Sequence, residues 1–289
     1  MLTVFSYNDN DILRMPKRAD ESNKGTYGRL LCVCGSMGMC GAAHLAAKAA
    51  HRSGAGLVEI LTVKENLIPL QTSLPEAIVS VYDKNSPDID AIISSAEKAD
   101  AIVIGCGLGC GNSSRKILGA ILRSTEKPCV IDADALNIIS ANPTLKKYLR
   151  GRIITPHPAE FSRLTGYSVE DIINNAEQMS YDFAKKYGAL CLIKRHETAV
   201  SDGNGVYVNK SGNSGMATAG SGDVLSGIIG GILAQNKNGK LSLFEAACLG
   251  AYIHGKSGDI AAETLGEYSL MASDIIDALP KTLKNISKS

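Results

Sequence analysis

The chain has 289 residues, 45% of them apolar and 20% charged, a balance that excludes a disordered chain and is enough to bury a full hydrophobic core. Thirty Lys and Arg against 29 Asp and Glu leave a formal charge of +1; the basic residues are scattered, so no stripe marks a nucleic-acid or anionic-membrane surface, and a small-molecule partner is expected. Residues 1–20 carry charges where a secretory signal needs an unbroken apolar segment, and no later run approaches spanning length, which predicts a cytoplasmic protein without a membrane partner.

From about residue 29 the pattern of strand, glycine-rich turn and helix recurs, as in a parallel sheet covered by helices. Residues 29–34 read as the first clear strand, 42–53 as an alanine-rich helix stopped by Ser53-Gly54-Ala55-Gly56, and 57–63 as the next strand. The apolar run 101–105 predicts a strand buried on both faces, with a helix from Asn112. Short buried strands follow at 129–131, 152–155 and 189–194. Asp202-Gly203-Asn204-Gly205 within 200–208 is a hairpin signal, so an antiparallel ribbon is expected to interrupt the parallel order. The last third reads as helices over 222–235, 242–263 and 272–279, with no low-complexity linker, and one domain over 1–289 is expected.

Of the eight cysteines, Cys32, Cys34, Cys129 and Cys191 lie in apolar strand-like runs and none forms a C-x-x-C pair, so buried free thiols are expected rather than a zinc site. Cys106 and Cys110 sit in a glycine-rich loop. Nothing in the sequence points to a depressed thiol pKa there, which favours a structural role over a reactive one.

In parallel α/β sheets ligands bind beyond the carboxyl ends of the strands, and five loops there carry chemistry. Gly35-Ser36-Met37-Gly38-Met39-Cys40-Gly41 has glycine at every third position but lacks the Walker ending and the dinucleotide spacing; phosphate cradling at a helix start and tight packing both fit it. Gly105-Cys106-Gly107-Leu108-Gly109-Cys110-Gly111 alternates glycine for close backbone approach to a ligand. Asp132-Ala133-Asp134-Ala135-Leu136-Asn137 offers two carboxylates, either to hold magnesium through water or to cap the next helix. Thr155-Pro156-His157-Pro158-Ala159-Glu160 fixes a histidine between two prolines, suited either to substrate positioning or to a structural role, with Glu160 near the expected phosphates.

The fifth loop is the most specific. Thr218-Ala219-Gly220-Ser221-Gly222-Asp223 leads directly into a helix. Its backbone N–H groups, at Gly220, Ser221 and Gly222, would form an anion hole for a transferring phosphoryl group, and Asp223 would accept a proton from an attacking hydroxyl. The competing reading is a plain turn with Asp223 as a helix-start carboxylate.

This Gly-x-Gly-Asp turn resembles that of the ribokinase superfamily. Within it, Lys24-Gly25-Thr26-Tyr27-Gly28, the 35–43 loop, Ser53-Gly54-Ala55-Gly56-Leu57-Val58, Gly107-Leu108-Gly109, Asp132-Ala133-Asp134-Ala135-Leu136, Thr155-Pro156-His157-Pro158-Ala159-Glu160 and Ala219-Gly220-Ser221-Gly222-Asp223 together are similar to the ADP- or ATP-dependent NAD(P)H-hydrate dehydratases, in order and over nearly the whole chain. Cys106 stands where that family often has proline, Ser221 where threonine is commoner, and Lys194-Arg195-His196-Glu197-Thr198 replaces a more usual Lys-Gly-rich stretch.

The resemblance implies an α/β ribokinase-like three-layer fold, mostly parallel with helices on both faces, without the fused epimerase domain of some members. It implies a lyase that restores NADH or NADPH from the S epimer of the hydrate, NADHX or NADPHX, most readily with ADP, giving AMP and phosphate, in nicotinamide nucleotide repair. Asp223 would be the catalytic base; Ala42, Gly109, His157 and Asp223 would bind the hydrate; Lys194, Arg195, His196, Glu197, Thr198 and Gly222 would bind the adenine nucleotide. Magnesium is implied as cofactor with no direct protein ligand assigned, together with a homo-oligomer, in the family a tetramer, and pairing with a separate epimerase. The alternatives are a vitamin kinase of the same superfamily, acting on an alcohol such as hydroxyethylthiazole, and a nucleotide sensor without turnover, for which Asp223 would be superfluous.

Overall fold

The computed structural model describes residues 4–284. Among these, ten strands form one sheet: β1 (Val4–Phe5), β2 (Arg29–Val33), β3 (Leu57–Val63), β4 (Ile78–Tyr82), β5 (Ala101–Ile104), β6 (Cys129–Ile131), β7 (Ile153–Ile154), β8 (Leu190–Ile193), β9 (Thr198–Ser201) and β10 (Val206–Asn209). Their spatial order is β1-β10-β9-β8-β7-β6-β5-β2-β3-β4. All pairings from β8 to β4 are parallel, and β9 runs antiparallel to both of its neighbours. The expected hairpin is this β9–β10 ribbon, its turn closed by Asp202 Oδ1 accepting from the N–H of Asn204 at 2.8 Å and of Gly205 at 3.2 Å.

Both faces of the sheet are covered, as the unbroken apolar runs required. Alternation along one strand shows the two sides: Leu30, Cys32 and Cys34 enter one core cluster, Leu31 and Val33 the other. The first cluster is closed by α1 (Cys40–Arg52), α2 (Leu67–Ser73), α9 (Ser221–Gln235), α10 (Leu243–Leu265) and α11 (Ala272–Leu283). The second is closed by α3 (Ile89–Lys98), α4 (Asn112–Ser124), α5 (Ala133–Ala141), α6 (Pro158–Thr165), α7 (Val169–Asn174) and α8 (Ala176–Tyr187). The result is the expected three-layer α/β fold.

Burial dictates composition locally. Helix α9 is buried nearly all round and accordingly carries apolar and small residues on every side, whereas helix ends that reach the surface carry their own caps. Ser242 and Glu245, for example, form a reciprocal box at the start of α10. No helix among the described residues is long and apolar enough to cross a membrane.

The chain leaves β2 outward through β3 and β4, but leaves β5 in the opposite direction through β6, β7 and β8. The connections therefore diverge between β2 and β5, opening a crevice at the carboxyl ends of those strands.

Candidate active site

All five glycine- or carboxylate-bearing loops converge at that crevice. The loop after β2 meets the loop after β5 through the Gly35 N–H, which donates to Cys106 O at 2.8 Å. A Cβ at Gly107 would lie 2.8 Å from the Ala42 methyl, and one at Gly109 3.6 Å from Ser36 Oγ. Ala42, in the first turn of α1, thus lies against Gly107, and Ser36 against Gly109. Gly105, at φ +124°, passes so close to the Asp132 carbonyl that any side chain there would collide with it.

The two aspartates of the third loop have distinct structural duties. Asp132 is 1% exposed and caps α5 by accepting the Ala133 N–H at 2.9 Å. Its Oδ1 also accepts from Lys194 Nζ at 2.7 Å, and its Oδ2 from the Ser226 hydroxyl at 2.8 Å. Asp134 instead holds the glycine loop, its Oδ2 accepting the Gly109 N–H at 2.8 Å. Among the described residues no group of three His, Cys, Asp or Glu side chains is arranged to hold a metal. Ala133 between the aspartates has φ +47°, a left-handed backbone unfavourable for a residue with a side chain and of the kind found at functional sites.

His157 is the N-cap of α6: its Nδ1 accepts the Ala159 N–H at 3.1 Å, while Glu160 accepts the His157 N–H at 2.9 Å. The ring is half-exposed at the crevice, and burial holds its pKa below the usual histidine value despite Glu160 beside it. The neighbouring strand end is tied in by the Lys194 N–H, which donates to Pro156 O at 2.9 Å.

Helix α9 starts over this floor. Gly220, its N-cap, adopts φ +90°, a left-handed conformation that starts the helix at the crevice; contrary to the sequence expectation, the Ser221 N–H is already taken up by the turn, donating to Thr218 O at 3.3 Å. Gly222 runs close enough that a Cβ there would lie 3.1 Å from Lys194 Nζ. Asp223 follows in the first turn. Burial foremost, then the Asp132 charge, pushes its carboxyl up to about 6, against the opposing effects of a hydrogen bond from the Cys106 thiol and the Lys194 charge. Such a group is ionised at neutral pH yet basic enough to take a proton. Lys194 stays protonated although burial opposes its charge, because Asp132 and Glu160 hold it up.

Of the segment 194–198, Lys194 points inward to Asp132, Arg195 and Glu197 are half-buried in the turn after β8, and His196 is exposed. Thr198 opens β9 and its hydroxyl donates to Arg195 O at 3.3 Å. Neither loop cysteine is activated: Cys106 is fully buried, its thiol raised by a hydrogen bond with Cys34 and by burial, and Cys110 is raised by burial and by Asp134. Two contributors escaped the sequence reading. Ser226, one turn after Asp223, fixes Asp132, and His254, in the middle of α10, reaches Ser221 Oγ at 3.3 Å. Cys106, expected to be structural, holds the Asp223 pKa down through its thiol. The helical spacing from Asp223 could have signalled Ser226, but no local motif marks His254.

Comparison with known proteins identifies the family. Residues 30–281 match the family model described as NAD(P)H-hydrate dehydratase. The chain is 41% identical, over 94% of its length and 90% of the relative's, to the ADP-dependent (S)-NAD(P)H-hydrate dehydratase of Neisseria meningitidis. It spans about half (49%) of the Escherichia coli bifunctional NAD(P)H-hydrate repair enzyme, to which it is 39% identical. Among solved structures, a ribokinase-like superfamily protein from Enterococcus faecalis superposes with a TM-score of 0.85 at 29% identity, covering 99% of this chain and 97% of that one. The ADP/ATP-dependent NAD(P)H-hydrate dehydratase of Bacillus subtilis, co-crystallised with ATP and Mg2+, superposes with a TM-score of 0.81 at 26% identity, covering 99% of each chain. With these relatives, and with a buried aspartate in the first turn of a helix at the crevice of a ribokinase-like fold, the chain belongs to the NAD(P)H-hydrate dehydratase family.

Proposed function

We propose that this chain dehydrates the S epimer of NADHX and NADPHX to NADH and NADPH, with ADP as phosphoryl donor and AMP and phosphate as products. The observation that carries this reading is Asp223, a carboxylate pushed up to about 6 in the first turn of the helix whose N–H groups form the hole.

The hydrate carries a hydroxyl on the ring carbon next to nitrogen, and hydroxide is a poor leaving group at neutral pH. Asp223 takes the proton of that hydroxyl as its oxygen attacks the terminal phosphorus of ADP, breaking the bond to the bridging oxygen of AMP. The N–H groups of Gly220 and Gly222 hold the charge developing on the phosphoryl oxygens, Ser221 contributing its N–H only if that group leaves Thr218 O, and Lys194 stands within the same field. The ring nitrogen lone pair then expels phosphate, and loss of a proton from the neighbouring carbon restores the dihydronicotinamide. Ala42, Gly109 and His157 line the hydrate side, while Gly222 and the segment from Lys194 through Arg195, His196 and Glu197 to Thr198 line the nucleotide side.

The residues fit a magnesium ion carried by the nucleotide, since such an ion takes most of its ligands from phosphate and water and Asp132 and Glu160 flank Lys194. Magnesium would supply charge neutralisation on the phosphates. We further assign the chain as a dehydratase unit in the cytoplasm, assembled as a homo-oligomer and served by an epimerase activity that interconverts the hydrates.

The test mixes protein, magnesium and prepared NADH hydrate with ADP or ATP in parallel and follows the near-ultraviolet absorbance of the dihydronicotinamide. Recovery of the band supports the reading and names the donor. No recovery with either nucleotide from folded protein overturns it and moves the assignment to a kinase forming a stable phosphate ester.

A further inference from the structure

The phosphoryl site contains a hydroxyl as well as backbone donors. Ser221 opens α9 inside the anion hole, and its Oγ lies 3.3 Å from Nε2 of His254. His254 sits midway along α10 between the buried Ile253 and Gly255, so the ring is delivered by a rigid helix packed against α9. A serine hydroxyl has one hydrogen and two lone pairs. If that hydrogen went to the imidazole, the hole would present lone pairs to an incoming phosphoryl group, which repels an anion. If the imidazole donates instead, the hydroxyl hydrogen is left for the phosphoryl oxygen.

We propose that His254 is a positioning residue for phosphoryl transfer: its Nε2–H donates to Ser221 Oγ and thereby directs the Ser221 hydroxyl hydrogen onto a non-bridging oxygen of the transferring phosphoryl group. This rests on the phosphoryl-transfer reading above. Burial foremost pushes the imidazole down to about 4, against a hydrogen bond with the Ser221 backbone that raises it and with the Lys194 charge reinforcing the fall. The ring is therefore neutral at physiological pH and has a single N–H to place. A purely structural pair would need only mutual satisfaction, with either partner donating; the anion hole makes the direction of the bond matter.

The experiment is a double-mutant cycle on the full chain, reading kcat and nucleotide KM in the hydrate assay, with thermal denaturation as a check on folding. His254→Phe and Ser221→Ala should each lower kcat about tenfold, the effect of losing one charge-assisted hydrogen bond, and leave KM within about twofold. The double variant should be no slower than either single one. His254→Gln, whose amide N–H can reach the same oxygen, should recover most of the rate. Wild-type kcat in folded His254→Phe, or losses that multiply in the double variant, would overturn the proposal. Should His254→Phe not fold, His254→Leu takes its place in the cycle: a loss in kcat that adds nothing in the Ser221→Ala background supports the coupling, and losses that multiply refute it. The parent reading is judged separately, because wild-type protein that fails to restore NADH refutes that reading before any variant is compared.

Discussion

Lys194 Nζ donates to Asp132 Oδ1 at 2.7 Å across 62 residues of sequence, joining the end of β8 to the cap of α5 directly beneath Gly222. The carboxylate is almost wholly buried and the ammonium about one-fifth exposed, so removing the lysine leaves a buried charge with only a hydroxyl and one N–H for partners. Lys194→Met is therefore expected to destabilise the fold by about 3 kcal/mol. Adding Asp132→Asn should return more than half of that loss, because the orphaned charge disappears. Denaturant midpoints at constant m decide the matter; equal midpoints for wild type and Lys194→Met would show that the pair is not coupled to folding.

Asp223 is expected to trade stability for activity. Its folded pKa is raised from 3.8 to about 6, so the folded state favours the neutral acid. The stability this gives is fully present below pH 3.8 and is lost as pH rises through 6. Asp223→Asn, neutral at all pH, should lower turnover about a hundredfold or more. It should also stabilise the fold at pH 7 by up to ~3 kcal/mol, a gain that vanishes toward pH 4. Calorimetry of both proteins at the two pH values measures it, and an equal difference at both would contradict the assigned shift.

Much of this architecture is legible in the sequence because strands buried on both faces must be apolar throughout. The runs ending in Ile104, Ile131 and Ile193 stand out for that reason, and each gives way at once to polar or glycine-rich residues that mark the ligand end of the sheet. Edge strands lack the signal. In β4, Ile78 and Val81 are 43% and 40% exposed, and the two residues of β1 are too few to show a period. Within the site, Asp223 announces itself through the glycine turn that precedes it. Lys194 reads only as part of a contiguous nucleotide segment, because its partner Asp132 is brought near by the parallel crossover. The placement of His254 depends on how α10 packs on α9 and has no local signature.

The pH dependence of turnover should expose the thiol under the base. With Asp223 at about 6, kcat/KM should rise with pH through an acid limb near that value, since only the carboxylate accepts the proton. The Cys106 thiol lowers this pKa by hydrogen bonding to the carboxylate. Cys106→Ala removes the donor and should move the limb to higher pH, with the plateau at high pH little changed. A limb that stays in place would mean that the thiol does not contribute to the base.

Gly220→Ala tests whether the hole depends on backbone conformation or only on the sequence of donors. Gly220 has φ +90°, and a Cβ there would collide with the Leu45 side chain and lie 3.2 Å from the Ala272 methyl. Two costs arise and they separate. The left-handed backbone costs an alanine about 1 kcal/mol, and the collision pushes against α1. Adding Leu45→Ala relieves the collision alone. Gly220→Ala should lower the melting temperature and reduce kcat about tenfold or more, because the N–H groups after residue 220 lose their aim. In Gly220→Ala/Leu45→Ala part of the lost melting temperature should return relative to Leu45→Ala itself, while kcat stays low, because the backbone strain remains at the hole. Full recovery of kcat in that double variant would locate the defect in α1 packing and would remove the left-handed turn from the account of catalysis.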